Sequence, residues 1–162
     1  VADREGRGYG VIVLTFAVTY VLAVIPFPPW LQWARPEWVT LTLIYWCIAL
    51  PQRVGMTTGL VLGVGLDVLD GSILGQNALA LVVVAFLSLI LYQRLRVYSL
   101  WQQAGVVFML VGINALLCQW VQNLQGLSAL PRLFLLPAFS SALLWPVVLH
   151  VLRGLRRRYR VS

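Results

Sequence analysis

Apolar runs of near-membrane length recur along this chain with almost nothing between them. They fall at 9–26, 36–50, 54–70, 75–92, 100–121 and 131–152, and no piece outside them exceeds ten residues. Crossing a hydrocarbon core of about 30 Å takes roughly 20 residues of helix. The pattern therefore predicts an all-α, polytopic membrane protein with six transmembrane helices. The chain is 60% hydrophobic and 10% charged, against about 45–50% apolar and about 25% charged in an average globular protein. With a mean hydropathy of +0.86, it cannot cover its own surface with polar groups, and a soluble fold is excluded. The 162 residues leave no room for a separate soluble catalytic domain beside a single domain over 1–162. The second run, at 15 residues, is short, and Trp33 and its neighbours are expected to extend it. The third is interrupted by glycine. The first follows Arg4 and Arg7 as a secretory signal would, but it ends in AVIPFPPW, with prolines where a small-x-small cleavage site belongs. An uncleaved first span is the reading.

Charge orients the spans. All twelve basic residues are arginine, and the five acids are Asp3, Glu5, Glu37, Asp67 and Asp70, giving +7. With both termini in the cytoplasm, Arg4, Arg7, Arg53, Arg94, Arg96, Arg153, Arg156, Arg157, Arg158 and Arg160 lie inside, and only Arg35 and Arg132 outside. Short loops are where the positive-inside rule holds, and five or seven spans would spoil this alternation. The basic balance thus points to topology and anionic lipid headgroups and away from nucleic acid. The tail over 153–162 carries Arg153, Arg156, Arg157, Arg158 and Arg160, read as a topology anchor, a lipid contact or a cytoplasmic docking segment. Trp30, Trp33 and Trp38 surround the first external loop, as expected of interfacial aromatics or, in a second reading, of a stacking site.

No catalytic, metal or cofactor set is present in the sequence. Cys47 and Cys118 fall in opposite leaflets and are expected as free thiols. The lone His150 falls near the cytoplasmic end of the sixth run, in the headgroup region.

One stretch stands out, GMTTGLVLGVGLDVLDGSILGQNAL over 55–79. Gly55, Gly59 and Gly63 recur every four residues and share one helical face, which reads as a packing or partner face because backbones approach closely where side chains are absent. The same step reaches Asp67 and then Gly71, so the acid lies on the packed face. Asp67 is fourteen residues beyond Arg53, roughly 21 Å along a helix, which puts it in the outer leaflet. A charged Asp at membrane depth costs roughly 2.5–3.5 kcal/mol on insertion scales, so it requires a partner, a hydrated cleft or protonation. Asp70, Gly71 and Ser72 read as a sharp turn, with Asp70 or Ser72 capping the next helix. Gln76, Asn77, Asn114 and Gln119 fall at similar depth. Spans three to five can therefore enclose an outward-facing polar cleft around Asp67, Asp70, Asn77 and Asn114, or a buried cluster that ties the helices together.

Several short segments resemble the bacterial rod shape-determining MreD family. They are Arg35-Pro36-Glu37-Trp38, Tyr45-Trp46, Pro51-Gln52-Arg53-Val54-Gly55, the step from Gly63 to Asp67, Gly71, Leu74-Gly75 and Ala78-Leu79. Leu100-Trp101-Gln102-Gln103 and Leu144-Trp145-Pro146 extend the likeness into the last two runs. The resemblance implies a non-enzymatic scaffold of the cell-elongation complex in the bacterial inner membrane. It implies direct binding of MreC, with RodA, an elongation-class penicillin-binding transpeptidase, RodZ and MreB as complex members, in the service of lateral-wall peptidoglycan synthesis and rod shape. It also implies kinship in fold with the substrate-binding subunits of energy-coupling-factor transporters. A homodimer is compatible with it. A small-molecule or lipid-binding transport subunit is the alternative.

Overall fold

The computed structural model describes residues 2–25, 28–29, 38–50, 54–71, 75–124, 126 and 136–158, the side chains of 2–7, 70, 122, 136 and 137 excepted. Six helices follow one another: α1 Ala2–Val24, α2 Trp38–Ala49, α3 Met56–Asp70, α4 Gln76–Val97, α5 Leu100–Leu124 and α6 Leu136–Arg158. Three stretches are long and apolar enough to cross a membrane, Gln76–Val97, Leu100–Val121 and Ala138–Arg158. Three shorter apolar helices accompany them, over Gly8–Val24, Trp38–Ala49 and Met56–Leu69.

The expected runs and the helices agree in order and differ at their ends. Helix α1 begins at Ala2, before the apolar run, and α4 continues to Val97 through Arg94 and Arg96. The third run is not broken by its glycines, because α3 is continuous over Met56–Asp70. Helix α6 carries on through Arg153, Arg156, Arg157 and Arg158, so these residues stand on a helix and not on a loose tail. Hydropathy marks where a helix must be apolar. It does not mark where backbone hydrogen bonding stops, and arginine is a good helix former.

Helix α2 sits at the centre. It packs on α1, α4, α5 and α6, and Leu41, Leu43, Ile44, Trp46 and Cys47 are wholly buried. The outer helices turn apolar side chains outward, among them Val18, Val61, Val68, Phe86, Met109, Leu143 and Val151. An exterior of this kind suits lipid, where the hydrophobic effect no longer drives helices together and small residues and hydrogen bonds must hold them. Several seams have such a tie. The Trp46 indole donates to Thr15 Oγ1 at 3.0 Å, joining α2 to α1. The Tyr20 hydroxyl donates to the Leu62 carbonyl at 2.5 Å, joining α1 to α3. The Trp145 indole donates to Gln103 Oε1 at 3.3 Å, joining α6 to α5. Pro146 lies inside α6, and His150 Nδ1 is 2.9 Å from the Pro146 carbonyl.

Candidate functional sites at the two ends of the bundle

The glycine stripe is filled from within. A Cβ on Gly63 would stand 2.3 Å from Ala78 Cα, and one on Gly59 would stand 2.9 Å from the Leu81 carbonyl oxygen. Helices α3 and α4 therefore meet backbone to backbone, running in opposite directions, and this face has no room left for a partner. Gly55 is the N-cap of α3, with only Leu89 Cδ1 near at 3.5 Å. Gly71 is not on the packed face. It has φ +65°, it caps the C-terminus of α3 through its N–H to the Asp67 carbonyl, and a Cβ there would touch nothing within 4 Å. Its glycine is required by the left-handed backbone and not by packing. Gly65, outside the four-residue step, meets the Tyr20 hydroxyl at 2.8 Å from its would-be Cβ. The second packing face of α3, toward α1, was hidden by the regularity of the first.

The stripe ends at Asp67, which is 1% exposed. Its Oδ2 accepts from the Gly75 N–H at 2.8 Å, and its Oδ1 accepts from the Asn77 N–H at 2.9 Å. Gly75, at φ +101°, is the N-cap of α4 and has no side chain with which to cap it. Asp67 supplies the missing carboxylate from the preceding helix. The first N–H groups of a helix lack intrahelical acceptors, and the dipole favours negative charge there. Asp67 thus caps α4; Ser72 and the Asp70 side chain, expected in that role, lie outside the described residues. The expected partner of the buried acid is backbone.

Of the polar groups around Asp67, Gln76 and Asn114 are buried, and Asn77 and Cys118 are partly exposed. The Cys118 thiol donates to Asn77 Oδ1 at 3.6 Å. Asn114, one turn before Cys118 on α5, is 4% exposed, and neither its Oδ1 nor Gln76 Oε1 has a partner among the described residues. Among the described residues this group lies between α3, α4 and α5; the Asp70 side chain, expected to line an outward-facing cleft with them, lies outside those residues. Both cysteines are free thiols.

Three sizeable cavities lie elsewhere. One, of about 430 Å³, separates α1 from α6 above α2 and is lined by Leu14, Val18, Leu22, Trp38, Val147, Val151 and Leu155 among others. It is almost wholly apolar. Trp38, expected as an interfacial aromatic, lines this cleft, and its indole N–H has no partner among the described residues; Trp30 and Trp33 lie outside the described residues. A second, of about 410 Å³, is an apolar groove between α5 and α6. The third, of about 310 Å³, is polar and lies at the opposite end of the bundle from Asp67. It is lined by Tyr45, Ile48, Ala49, Arg96, Gln103, Trp145, Leu149, Arg153 and Arg156.

In the sequence Arg96 reads as a topology signal and Arg153 and Arg156 as a topology anchor, lipid contact or docking segment; their convergence on Tyr45, Gln103 and Trp145 is a feature of the fold. A signal was present, since Tyr45, Gln103 and Trp145 each lie in a short segment that carries the family resemblance. Arg96 donates from Nε to the Ile48 carbonyl and from an NH2 to the Ala49 carbonyl, both at 3.0 Å, and so caps the C-terminus of α2. Gln103 Nε2 donates to the Leu95 carbonyl at 2.8 Å. Arg157 and Arg158 are exposed on α6, and Arg160 lies outside the described residues.

These features define an all-α membrane protein that fastens its helices with buried polar contacts and holds no cluster of His, Cys, Asp and Glu fit for a metal among the described residues. A family model described as rod shape-determining protein MreD matches residues 6–155. The rod shape-determining protein MreD of Haemophilus influenzae is 34% identical over 150 residues, covering 93% of this chain and 93% of that one. No solved structure matches. The chain belongs to the MreD family of rod shape-determining membrane proteins, which are structural proteins and not enzymes.

Proposed function

We propose that this protein is a multi-pass scaffold of the inner membrane whose six helices all span, with both termini cytoplasmic. In this reading it binds MreC and helps to organise or activate lateral-wall peptidoglycan synthesis alongside RodA, the elongation-class transpeptidase, RodZ and MreB. Its six-helix bundle would share ancestry with the substrate-binding subunits of energy-coupling-factor transporters. The observation that carries the partner reading is the apolar cleft of about 430 Å³ between α1 and α6. The glycine face is consumed by α4, whereas this cleft is open on its lipid side and offers aliphatic side chains to a single apolar helix. The transport alternative loses support because both carboxylate oxygens of Asp67 already accept backbone hydrogen bonds.

The test fills the cleft. Val18→Trp and Val151→Trp are expected to lower recovery of MreC from membranes and to round the cells. Val61→Trp, on the outward face of α3, is expected to leave both unchanged. Undiminished recovery of MreC with the two cleft variants would overturn this placement of the partner.

A further inference from the structure

We propose that the groove between α5 and α6 seats one anionic phospholipid, with an acyl chain in the groove and the phosphate on a basic face that α6 presents at the groove's end. The two helices run antiparallel here. Trp145 meets Gln103, and further along Phe139 meets Phe108, with ring centroids 6.5 Å apart and planes at 87°. That aromatic pair stands at one end of the groove. Trp101, 86% exposed, stands at the other, where α5 begins. Between them lies Gly105, where a Cβ would meet nothing within 4 Å.

Phe139, Leu143 and Pro146 line the groove from α6. The same alternation of steps reaches His150, Arg153 and Arg157, all exposed. At roughly 3.6 residues per turn these continue the lining face beyond the groove. His150 Nδ1 is 2.9 Å from the Pro146 carbonyl, which keeps the ring beside the groove's wall. One face of α6 thus changes from apolar to basic where α5 starts; Arg153 borders the polar cavity as well.

An apolar hollow of about 410 Å³ does not hold water, and its unfilled walls forfeit dispersion contacts. Its length selects the occupant. From Leu100 to Phe108 the groove follows about 12 Å of helix. A helix crossing a core of about 30 Å would run past the phenylalanines, whereas a flexible acyl chain bends out before them. Charge selects the headgroup. Beyond Asp70 the chain has eight arginines and no Asp or Glu, so α4, α5 and α6 hold no acid of their own to balance this face. A phosphate matches the guanidinium fork. The Trp101 ring, apolar with one N–H donor, suits the boundary between chain and headgroup.

The full chain is purified in a neutral detergent, and phosphatidylglycerol or phosphatidylcholine with identical acyl chains is added. Native mass spectrometry counts bound lipid, and the rise of melting temperature with lipid concentration gives the apparent affinity. The native protein is expected to retain one phosphatidylglycerol and to prefer it to phosphatidylcholine by about tenfold or more. R157Q should weaken it about fivefold, and R153Q/R157Q by roughly twentyfold, as expected for arginines beside a lipid phosphate. Gly105→Leu fills the groove where no neighbour is struck, so it should lose the lipid while melting no lower than the native protein without lipid. Val151→Trp fills the cleft between α1 and α6 instead and should keep the lipid. Equal affinity for the two lipids would overturn the proposal. So would undiminished phosphatidylglycerol binding in Gly105→Leu or R153Q/R157Q, or its loss in Val151→Trp.

Discussion

At one end of the bundle a single carboxylate, Asp67, is buried against the backbone N–H groups that open α4. At the other end Arg153 and Arg156 from α6 and Arg96 from α4 surround a cavity beside the Tyr45 hydroxyl, which has no hydrogen-bond partner among the described residues. Both ends carry charge into a protein that is otherwise apolar. At the Asp67 end donors and acceptors match, and the charge is used up in joining two helices. At the arginine end the charge is gathered around a cavity, and Arg96 uses its guanidinium to cap α2. Charge in a membrane protein is costly wherever it is placed; one end buries it against backbone and the other gathers it around a cavity.

The contrast can be broken by substitution. The largest effect is expected beside the Asp67 end, at Gly63→Leu. A Cβ there already collides with the α4 backbone, so the loss should exceed the ~1–3 kcal/mol of ordinary overpacking. A thermal melt in detergent with gel filtration should show little folded protein. Next comes Asp67→Ala, which orphans two N–H groups and should cost roughly 2–5 kcal/mol, with Asp67→Asn recovering part of it. The same melt reads both.

Arg96→Ala removes two hydrogen bonds at the α2 C-terminus, for about 1–3 kcal/mol. The smallest effect is expected at Tyr45→Phe, within about 0.5 kcal/mol, since it deletes an unsatisfied hydroxyl and leaves the ring. If Tyr45→Phe destabilised the protein as much as Asp67→Ala does, the two ends would be alike and the contrast would fail.

The parts of this arrangement that were legible in the sequence are those written in one element at a time. Six helices in their order follow from hydropathy. Asp67 was conspicuous because charge is scarce, and the four-residue step placed Gly59 and Gly63 on a packed face. The partner of Asp67 was not legible, because it is backbone: the Gly75 and Asn77 N–H groups have no signature apart from a turn whose geometry depends on Gly71 and Gly75. Gly71 fitted the step by arithmetic and serves a different need. The arginine cavity was hidden for another reason. Its residues come from four helices, α2, α4, α5 and α6, and no spacing within one helix reports how four helices are rotated about their axes.

The shortness of α3 has a consequence for the surrounding lipid. Its 15 residues measure about 22 Å, whereas the 22 residues of α4 beside it measure about 33 Å. Read as neighbouring spans, they present the bilayer with two different thicknesses on adjacent sides of one molecule. Leu60, Val61, Val64, Val68 and Leu69 face outward from α3, so in the proposed six-span arrangement the membrane would be drawn thin there by several ångströms, at fractions of a kcal/mol per ångström. Such a dimple is itself an attractive region, because a second protein with a short span lowers the total deformation by settling into it. The side of the molecule bearing α3 can thus gather neighbours through the elasticity of the membrane, without any contact between side chains.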